Sequence, residues 1–441
     1  MPSSNATLNG VVQAFSLKRN LKALFVRPSE NFATIDGIRA ISILWLIVFH
    51  VFFLMRLYID AEALTVLIQT TPWYMQWVWN ADKAVDAFFV ISGFLISHLL
   101  FKEYQNKQTI NLKRFYWRRF LRLTPVYWFA LLLCFLFSDR NTDMLWANVF
   151  YLNNFIPVER MPMEWTWSLA VEEQFYIVFP LFLVFIFFKS TRQWQWLVGL
   201  LLLSVLIRLL VAFSYESIWH GNFADLLNPS SGLSDYINGM YVNLYTRFAP
   251  LACGVLASYA YFYKGDSLAK LLNGKIGLLL TCASFAVFIF LSFLPILNPD
   301  IVWPSYFELA YIIFNRLLFG LAAAWLVLVS LHPGLFGILF KSFLALRLWY
   351  PIAQLSYSMY LFHIMVIIFV MFNVSANLEA RDIAMDSLTF WQVTSVVSVV
   401  FPLSMLFSIF TYLLIEKPFM NLRGIRVKQA AKSHEKPVAA L

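Results

Sequence analysis

Charged residues are scarce in this chain of 441 residues: only 13% are Asp, Glu, Lys or Arg, whereas 61% are apolar. Soluble globular proteins carry about 25% charged residues, so this composition excludes an ordinary soluble fold. Runs of about 20 apolar residues recur, and each run is long enough to cross a bilayer core. The sequence therefore predicts an all-α integral membrane protein with about ten transmembrane helices.

Cysteine is also rare, with three residues in the chain. Cys134, Cys253 and Cys282 lie within apolar runs and lack the spacing of metal ligands, which excludes a disulfide framework and a zinc site. We expect all three to be small thiols in the helix core. Walker and Rossmann glycine patterns, carboxylates at dinuclear spacing and a Gly-x-Ser-x-Gly sequence are missing too. We therefore expect no metal ion and no permanently bound cofactor.

Acidic residues are fewer than basic ones: the chain has 24 Asp and Glu and 33 Lys and Arg, and its formal net charge is +9. The excess lies in short segments beside the apolar runs, as the positive-inside rule predicts. This distribution argues against nucleic acid as a partner and for a lipid bilayer. It also predicts that both termini are cytoplasmic. The ten predicted spans are 38–57, 84–101, 120–137, 166–188, 194–213, 241–263, 276–295, 309–331, 350–373 and 389–414.

The first span holds two ionisable residues on one face. Arg39 and His50 are eleven residues apart, which is close to three helical turns and roughly 16 Å along the axis. An ionisable residue at mid-depth in a membrane is a functional hypothesis by default. His50 could exchange a proton with a substrate, or it could be a hydrogen-bonding partner for a neighbouring helix. Asp36, just before Arg39, could cap the helix or orient Arg39.

The fourth span begins with carboxylates at a depth close to that of His50. Glu172 shares a helix face with Ser168 and Tyr176, so we expect it to face a polar interior and to orient His50. Glu173 has a less polar neighbourhood. The alternative is that Glu172 pairs with an arginine of the preceding loop, Arg140 or Arg160.

A basic stretch leads into the third span, and Arg119 and Arg122 share one helix face at the cytoplasmic start of that span. Guanidinium pairs suit phosphate oxygens, so these two residues and Arg39 could hold a phosphorylated ligand at the cytoplasmic surface. The alternative is ordinary positive-inside flanking with lipid head-group contact.

Two further spans carry polar residues that pack or line a cavity. Ser92 and Gly93 in span 2 permit close helix approach. Span 9 carries Ser356, Tyr360 and His363 on one face. These side chains could line a cavity or form hydrogen bonds to a neighbouring helix, and the sequence favours neither interpretation. The buried cations of the other spans need partners that the sequence does not identify; they are Arg208, Arg247 and Arg316.

Six motifs in order over residues 33–420 resemble the membrane acyltransferase 3 family, which includes O-antigen and other sugar O-acyltransferases. They are Asp36-Gly-Ile-Arg39 with His50, Phe88 to Phe94 around Ser92-Gly93, Arg119-x-x-Arg122, Trp167 to Tyr176 with Glu172, Ser356-Tyr357-Ser358 with Tyr360 and His363, and Glu416-Lys417-Pro418. Of the two carboxylates in the fourth motif, Glu172 matches the family position.

This resemblance implies an acyl-CoA donor, acetyl-CoA above all, on the cytoplasmic side of a bacterial inner membrane. It implies an acceptor hydroxyl on an envelope glycan or glycolipid, such as lipopolysaccharide O-antigen. Residues 1–32 and the basic residues 421–441 would be cytoplasmic tails around a membrane domain over 33–420. Some members continue into a soluble hydrolase-like domain, and we expect none here. The outer loops 58–82, 138–165 and 214–240 would select the acceptor.

In the mechanism that we expect, Arg39, Arg119 and Arg122 hold the phosphates of CoA and Glu172 orients His50. His50 then deprotonates the acceptor or carries the acyl group. An exporter of small anions is the alternative function. The sequence shows neither repeat symmetry nor a matched pair of Gly/Pro-broken helices, which many transporters have.

Overall fold

Ten long helices organise the part of the chain that the computed structural model describes, which is residues 10–29, 32–138, 141–220, 223 and 232–423. We name them α1 to α10 in chain order. They are α1 Ala33–Leu54, α2 Lys83–Lys107, α3 Leu112–Phe137, α4 Trp167–Phe185, α5 Gln193–Ser214, α6 Leu244–Tyr263, α7 Lys275–Phe293, α8 Ser305–Leu331, α9 Trp349–Glu379 and α10 Phe390–Thr411. The predicted all-α membrane fold is confirmed.

Helix α6 differs from the other nine helices in hydropathy. Among the described residues, those nine are the helices that are long and apolar enough to cross a membrane. It carries Arg247, whose side chain is fully buried, and it packs against α2, α5 and α8. A polar helix is tolerated within a membrane protein when neighbouring helices supply partners for its polar groups. The segment predicted as the sixth span forms a helix that packs against three others of the bundle.

Helix α3 begins earlier than predicted, which changes the position of the basic residues. Arg118 and Arg119 were placed before the third span, whereas α3 already begins at Leu112. The side chain of Asn111 accepts a hydrogen bond from the Arg114 backbone amide and caps this helix. Lys and Arg favour helices, so the charged residues extend α3 instead of forming a loop.

A close helix crossing lies between α2 and α6, at two glycines. A Cβ atom added to Gly93 would lie 2.1 Å from the carbonyl oxygen of Leu251, and one added to Gly254 would lie 2.1 Å from that of Val90. The absence of a side chain at both positions lets the two backbones touch. Gly93 therefore has the packing role that its motif predicted.

We expect Gly93→Ala to destabilise the protein by about 1–3 kcal/mol, because the two helices must separate to admit a methyl group. Gly199→Ala on α5 is the matched control, since a Cβ there meets nothing within 4 Å. Thermal unfolding of both purified variants in one detergent measures the difference. Equal melting temperatures would contradict this account of the crossing.

The N-terminal segment is bound to the end of the chain. Its helix, Leu17–Phe25, carries Asn20, whose side chain donates to the carbonyl of Leu413. Asn421 donates to Asn20 Oδ1 at 2.9 Å and to the carbonyl of Ala14 at 3.1 Å. Residues 1–9 and 424–441 of the predicted tails lie outside the described residues.

The loops and thiols differ from the predictions in detail. Loop 58–82 forms Ala61–Gln69 and a 3-10 segment, Trp73–Val78. Loop 138–165 includes one α-helical turn, Leu145–Val149, and part of loop 214–240 lies outside the described residues. Cys134 and Cys253 are buried, but Cys282 is exposed on the outside of α7, so its prediction as a core thiol was wrong. Apolar runs do not reveal which helix face points outwards.

Candidate active site

A first cavity lies between α1, α2, α3, α4 and α9 and encloses about 920 Å³. We call it the Arg39 chamber. The polar and charged residues of its lining are Arg39, Ser92, Arg119, Arg122, Ser168, Glu172, Tyr176, Ser356, Tyr357 and Tyr360. The structure thus brings together the Arg39 position of span 1, the basic pair of span 3 and the carboxylate of span 4.

Three guanidinium groups converge on this chamber. Arg39 donates to Ser356 Oγ at 2.9 Å and lies close enough to Arg122 for the two charges to repel. The guanidinium carbon of Arg119 lies 5.8 Å from the ring centre of Tyr176. Its Nε has no hydrogen-bond partner among the described residues. Like charges with open donors in one cavity are suited to a polyanion.

Glu172 faces the same chamber. Ser92 Oγ donates to its Oε1 at 2.7 Å, and the Tyr176 hydroxyl donates to its Oε2 at 3.3 Å. Arg160, offered above as an alternative partner, instead pairs with Asp143 at 3.1 Å. The other alternative, Arg140, lies outside the described residues.

A second cavity encloses about 1090 Å³ and includes His50 in its wall. We call it the His50 chamber. Its lining is Phe49, His50, Phe53, Leu54, Arg56, Trp79, Asn80, Asp82, Val158, Glu164, Trp165, Trp167, Phe223, Leu233, Tyr236, Ile237, Tyr241, Val242, Ile296, Leu297, Tyr311 and Ile364. Among the described residues, it shares no lining residue with the Arg39 chamber.

The two chambers approach each other at the start of α4. Ser168 lines the Arg39 chamber, and the preceding residue, Trp167, lines the His50 chamber. The rings of Trp167 and Phe89 meet edge to face at 6.2 Å. Tyr360 links both sides, since its hydroxyl bonds Ser168 Oγ at 2.6 Å and donates to the carbonyl of Trp165. A few side chains therefore separate the chambers.

His50 contacts a second histidine, His363 of α9. His363 Nδ1 lies 2.7 Å from the Tyr360 carbonyl oxygen and 3.1 Å from that of Met359, and its Nε2 lies 3.1 Å from His50 Nδ1. His50 Nδ1 is also 3.0 Å from the carbonyl oxygen of Leu46.

These distances assign the tautomers of both rings. Carbonyl oxygens only accept, so His363 carries its proton on Nδ1 and presents Nε2 as an acceptor. His50 then donates from Nδ1, which leaves its own Nε2 without a proton and able to accept one. The residue that orients His50 is thus His363, whereas the hydrogen bonds of Glu172 go to Ser92 and Tyr176.

Two of the three buried cations that lacked predicted partners, Arg247 and Arg316, belong to an ionic cluster beside the His50 chamber. Arg316 contacts Asp82 at 2.5 Å and Asp86 at 2.7 Å, and Arg247 contacts Asp86 at 3.0 Å. Lys83 lies 3.4 Å from Asp82. We call these five residues the Asp82 network. Each buried charge in it has an opposite charge nearby, as a low-dielectric interior requires.

Arg247 attaches this network to the chamber wall. Its guanidinium carbon lies 4.9 Å from the ring centre of Trp167 and 4.8 Å from that of Tyr241, and both rings line the chamber. Arg208 uses carbonyl groups, since it donates to Ile313 at 3.0 Å and to Thr246 at 2.8 Å.

Some predicted site residues lie behind the chambers. Asp36 is in the first turn of α1, where it pairs with Arg27 at 3.0 Å, rather than capping the helix. Glu173 does not line either chamber, and one of its oxygens is buried without a hydrogen-bond partner among the described residues. Gly93 has the packing role described above.

The ion-paired residues Asp82 and Arg27 were not predicted as parts of the site, and Glu416 had no predicted role. Glu416 accepts a hydrogen bond from Ser358 at 2.7 Å and lies close enough to Arg39 and Arg122 for electrostatic attraction. The Glu-Lys-Pro motif was the available signal for it. Asp82 and Arg27 have no comparable local pattern, because Asp82 is a single charged residue at the edge of a predicted span and Arg27 is one of several basic residues in the predicted N-terminal tail.

Comparison with known proteins places the chain in a family. A family model described as an acyltransferase domain, acyltransferase 3, matches residues 32–412. O-acetyltransferase OatA of Staphylococcus aureus (strain NCTC 8325 / PS 47) is 26% identical over 360 residues, which cover 76% of this chain and 50% of OatA. Nose resistant to fluoxetine protein 6 of Caenorhabditis elegans is 27% identical over 399 residues, which cover 80% of this chain and 47% of that protein.

The chain thus spans about half the length of the curated relatives that it matches. No solved structure matches it. The family match includes every residue that lines the two chambers. Because that match extends over most of its length, this chain belongs to the acyltransferase 3 family.

Proposed function

We propose that this protein is a membrane-bound O-acyltransferase that moves an acetyl group from cytoplasmic acetyl-CoA to a hydroxyl of an envelope glycan. The observation that carries the proposal is the pair of chambers. One concentrates the guanidinium groups of Arg39, Arg119 and Arg122, and the other holds an oriented histidine pair. The name of the OatA relative, an O-acetyltransferase, agrees with this reaction.

The Arg39 chamber would bind the donor. CoA carries several phosphates, and guanidinium groups bind phosphate oxygens through paired hydrogen bonds. Arg39 and His50 are roughly 16 Å apart along α1. A long, flexible pantetheine arm could extend from the phosphates towards His50 once the side chains between the two chambers, Phe89 and Trp167 among them, move aside. The proposed donor side is cytoplasmic because most basic residues of the chain flank that side of the predicted spans.

The His50 chamber would bind the acceptor and hold the base. In direct transfer, the hydroxyl oxygen attacks the thioester carbonyl carbon, its proton passes to His50 Nε2, and the C–S bond breaks. CoA leaves as a thiolate and takes up a proton in water. In the covalent route, His50 Nε2 attacks the carbonyl carbon first, the C–S bond breaks and CoA leaves as a thiolate. The acceptor hydroxyl then attacks the acyl carbon, the bond to Nε2 breaks, His50 leaves as neutral imidazole, and the hydroxyl proton passes through water to the thiolate. Both routes use the tautomer that His363 imposes.

The proposal can be tested with the purified protein in lipid nanodiscs, acetyl-CoA carrying a labelled acetyl group, and glycan extracted from envelopes of cells that lack the gene. We expect the label to enter the glycan with one CoA released per acetyl group. Acid quenching before acceptor is added would trap labelled protein if the covalent route operates. Transport of a small anion without any acetyl transfer would contradict the proposal and favour an exporter.

Substitution of His363 distinguishes a role in orienting His50 from a purely structural role. We expect His363→Leu to lower kcat about tenfold, because His50 loses one oriented hydrogen bond worth about 1–1.5 kcal/mol. The KM for acetyl-CoA should stay unchanged, since His363 does not line the Arg39 chamber. His363→Gln keeps an acceptor at a similar reach and should restore most of kcat. Equal losses in the two variants would rule out an orienting role.

A further inference from the structure

The carboxylate of Asp82 is the point at which the Asp82 network meets the His50 chamber. Its side chain is 16% exposed, whereas those of Lys83, Asp86 and Arg316 are 1%, 0% and 2% exposed. Of the five network residues, only Asp82 is part of the lining that the described residues form. A ligand in the chamber can therefore reach this carboxylate and none of the cations behind it.

The carboxylate is held in place from behind. Arg316 contacts its Oδ2 at 2.5 Å and Lys83 contacts its Oδ1 at 3.4 Å, while the Lys83 ammonium is fixed by Asn80 Oδ1 and the Tyr311 hydroxyl, each at 3.0 Å. Burial by itself would raise the pKa of Asp82, but the charges of Arg316 and Lys83 lower it to about 2. A carboxylate has about four acceptor positions, so capacity for further donors remains.

The charges of the network explain why the carboxylate stays ionised in a buried site. Asp82 and Asp86 contribute two negative charges, and Lys83, Arg247 and Arg316 contribute three positive charges. The network is thus net positive even with both aspartates ionised. Protonation of Asp82 would leave two uncompensated cations in the interior, which is costly.

Aromatic rings line the chamber that the Asp82 carboxylate faces. Trp79, Trp167, Tyr241 and Tyr311 all line the same chamber, together with the amide of Asn80. Flat apolar surfaces beside a few fixed polar groups define the shape and orientation of a ligand. The exposed oxygens of a fixed carboxylate accept hydrogen bonds and repel an anion placed directly against them, although the network behind them is net positive. The matching ligand therefore has hydroxyl donors, an apolar ring face and no negative charge at the position that contacts Asp82. A neutral pyranose ring has all three properties.

We propose that Asp82 anchors the acceptor by accepting hydrogen bonds from hydroxyls of a neutral sugar ring that lies against the aromatic wall of the His50 chamber. This inference rests on the proposed function, because it assigns the acceptor to that chamber. It makes Asp82 a specificity-determining residue: a neutral hexose or N-acetylhexosamine fits, and a uronic acid placed at the same position is excluded.

Binding can be measured independently of transfer. The full chain in nanodiscs is titrated with methyl glycosides of glucose, galactose, N-acetylglucosamine and glucuronic acid, and tryptophan fluorescence reports occupancy of the Trp-lined chamber. We expect saturable quenching by at least one neutral glycoside and none by the glucuronide. Asp82→Asn should raise the Kd for the neutral glycoside about tenfold or more, because a charge-assisted hydrogen bond is lost. The Kd for acetyl-CoA should not change.

Asp86→Asn is the matched control, since it removes the other carboxylate of the network without touching the lining. It should lower the melting temperature and leave the Kd for the glycoside within about twofold. Equal weakening in both variants, unchanged binding in Asp82→Asn, or no binding of any neutral glycoside would overturn the proposal. Should Asp82→Asn not fold, Asp82→Glu, which keeps the charge and displaces the carboxylate, is measured in the same way.

The outcome separates this inference from the proposed function. Glycoside binding that depends on Asp82, without acetyl transfer, would keep the sugar subsite and reject the transferase. If Asp82→Asn leaves the KM for the glycan acceptor unchanged while acetyl transfer proceeds, the transferase function is kept and the sugar subsite is rejected.

Discussion

His50→Ala is expected to lower acetyl transfer by about 10²–10⁴-fold, the largest effect of any single substitution that we predict. The tautomer set by His363 leaves His50 Nε2 as the unprotonated nitrogen of the pair. An alanine removes both the proton acceptor and the possible acyl carrier. The loss should appear in kcat, measured as CoA release with acceptor present, while the Kd for acetyl-CoA changes little because the Arg39 chamber is intact.

The matched control is His332→Ala, since the His332 side chain contacts Asn273 at 2.9 Å, away from both chambers. It should transfer acetyl groups at the wild-type rate. Wild-type transfer by His50→Ala would show that the mechanism is wrong. Unchanged melting temperatures in both variants would exclude loss of folding as the cause of inactivity.

Arg122→Gln is expected to raise the KM for acetyl-CoA by about 10–100-fold. Loss of one charge-assisted contact to a phosphate corresponds to about 1.5–3 kcal/mol. Arg122 lines the Arg39 chamber and lies within electrostatic reach of Arg39. The charge of each therefore favours an anion between them. Steady-state kinetics with varied acetyl-CoA measure the change.

Arg118→Gln provides the control for this charge removal. Arg118 is on the same helix but does not line the chamber. The KM of the Arg118→Gln variant for acetyl-CoA should therefore stay near that of the wild type. A second control uses acetyl-pantetheine, which lacks the phosphates, as donor. If Arg122 binds phosphate, wild type and Arg122→Gln should use acetyl-pantetheine equally well. A tenfold difference with that donor would place Arg122 in another role.

Local sequence patterns were sufficient to predict most of the helices and the residues that share their faces. Apolar runs are visible in the sequence alone, so the nine long apolar helices of the described residues were predictable, although α3 begins earlier than its predicted span. Helical periodicity also placed Arg39 and His50 on one face, and Ser168, Glu172 and Tyr176 on another. The structure places Arg39 and the span-4 residues around one chamber and His50 in the other.

Contacts between distant helices were beyond the reach of periodicity. His50 and His363 are 313 residues apart, whereas matched depth and the polar face of span 4 favoured Glu172 as the partner of His50. Depth limits a residue to a layer of the membrane, but it does not say which helix faces which. The hydroxyls of Ser92 and Tyr176 hold Glu172 in the Arg39 chamber instead.

By itself, the sequence determined the all-helical membrane class, the family and the types of residue that meet in the core, because hydropathy and helical period are properties of short segments. Only the tertiary structure decided that the site is divided into two chambers, that His363 orients His50, and that Asp82 faces the second chamber. Those facts depend on which helix faces touch. In α2 and α6 this is decided by two glycines that let the backbones meet.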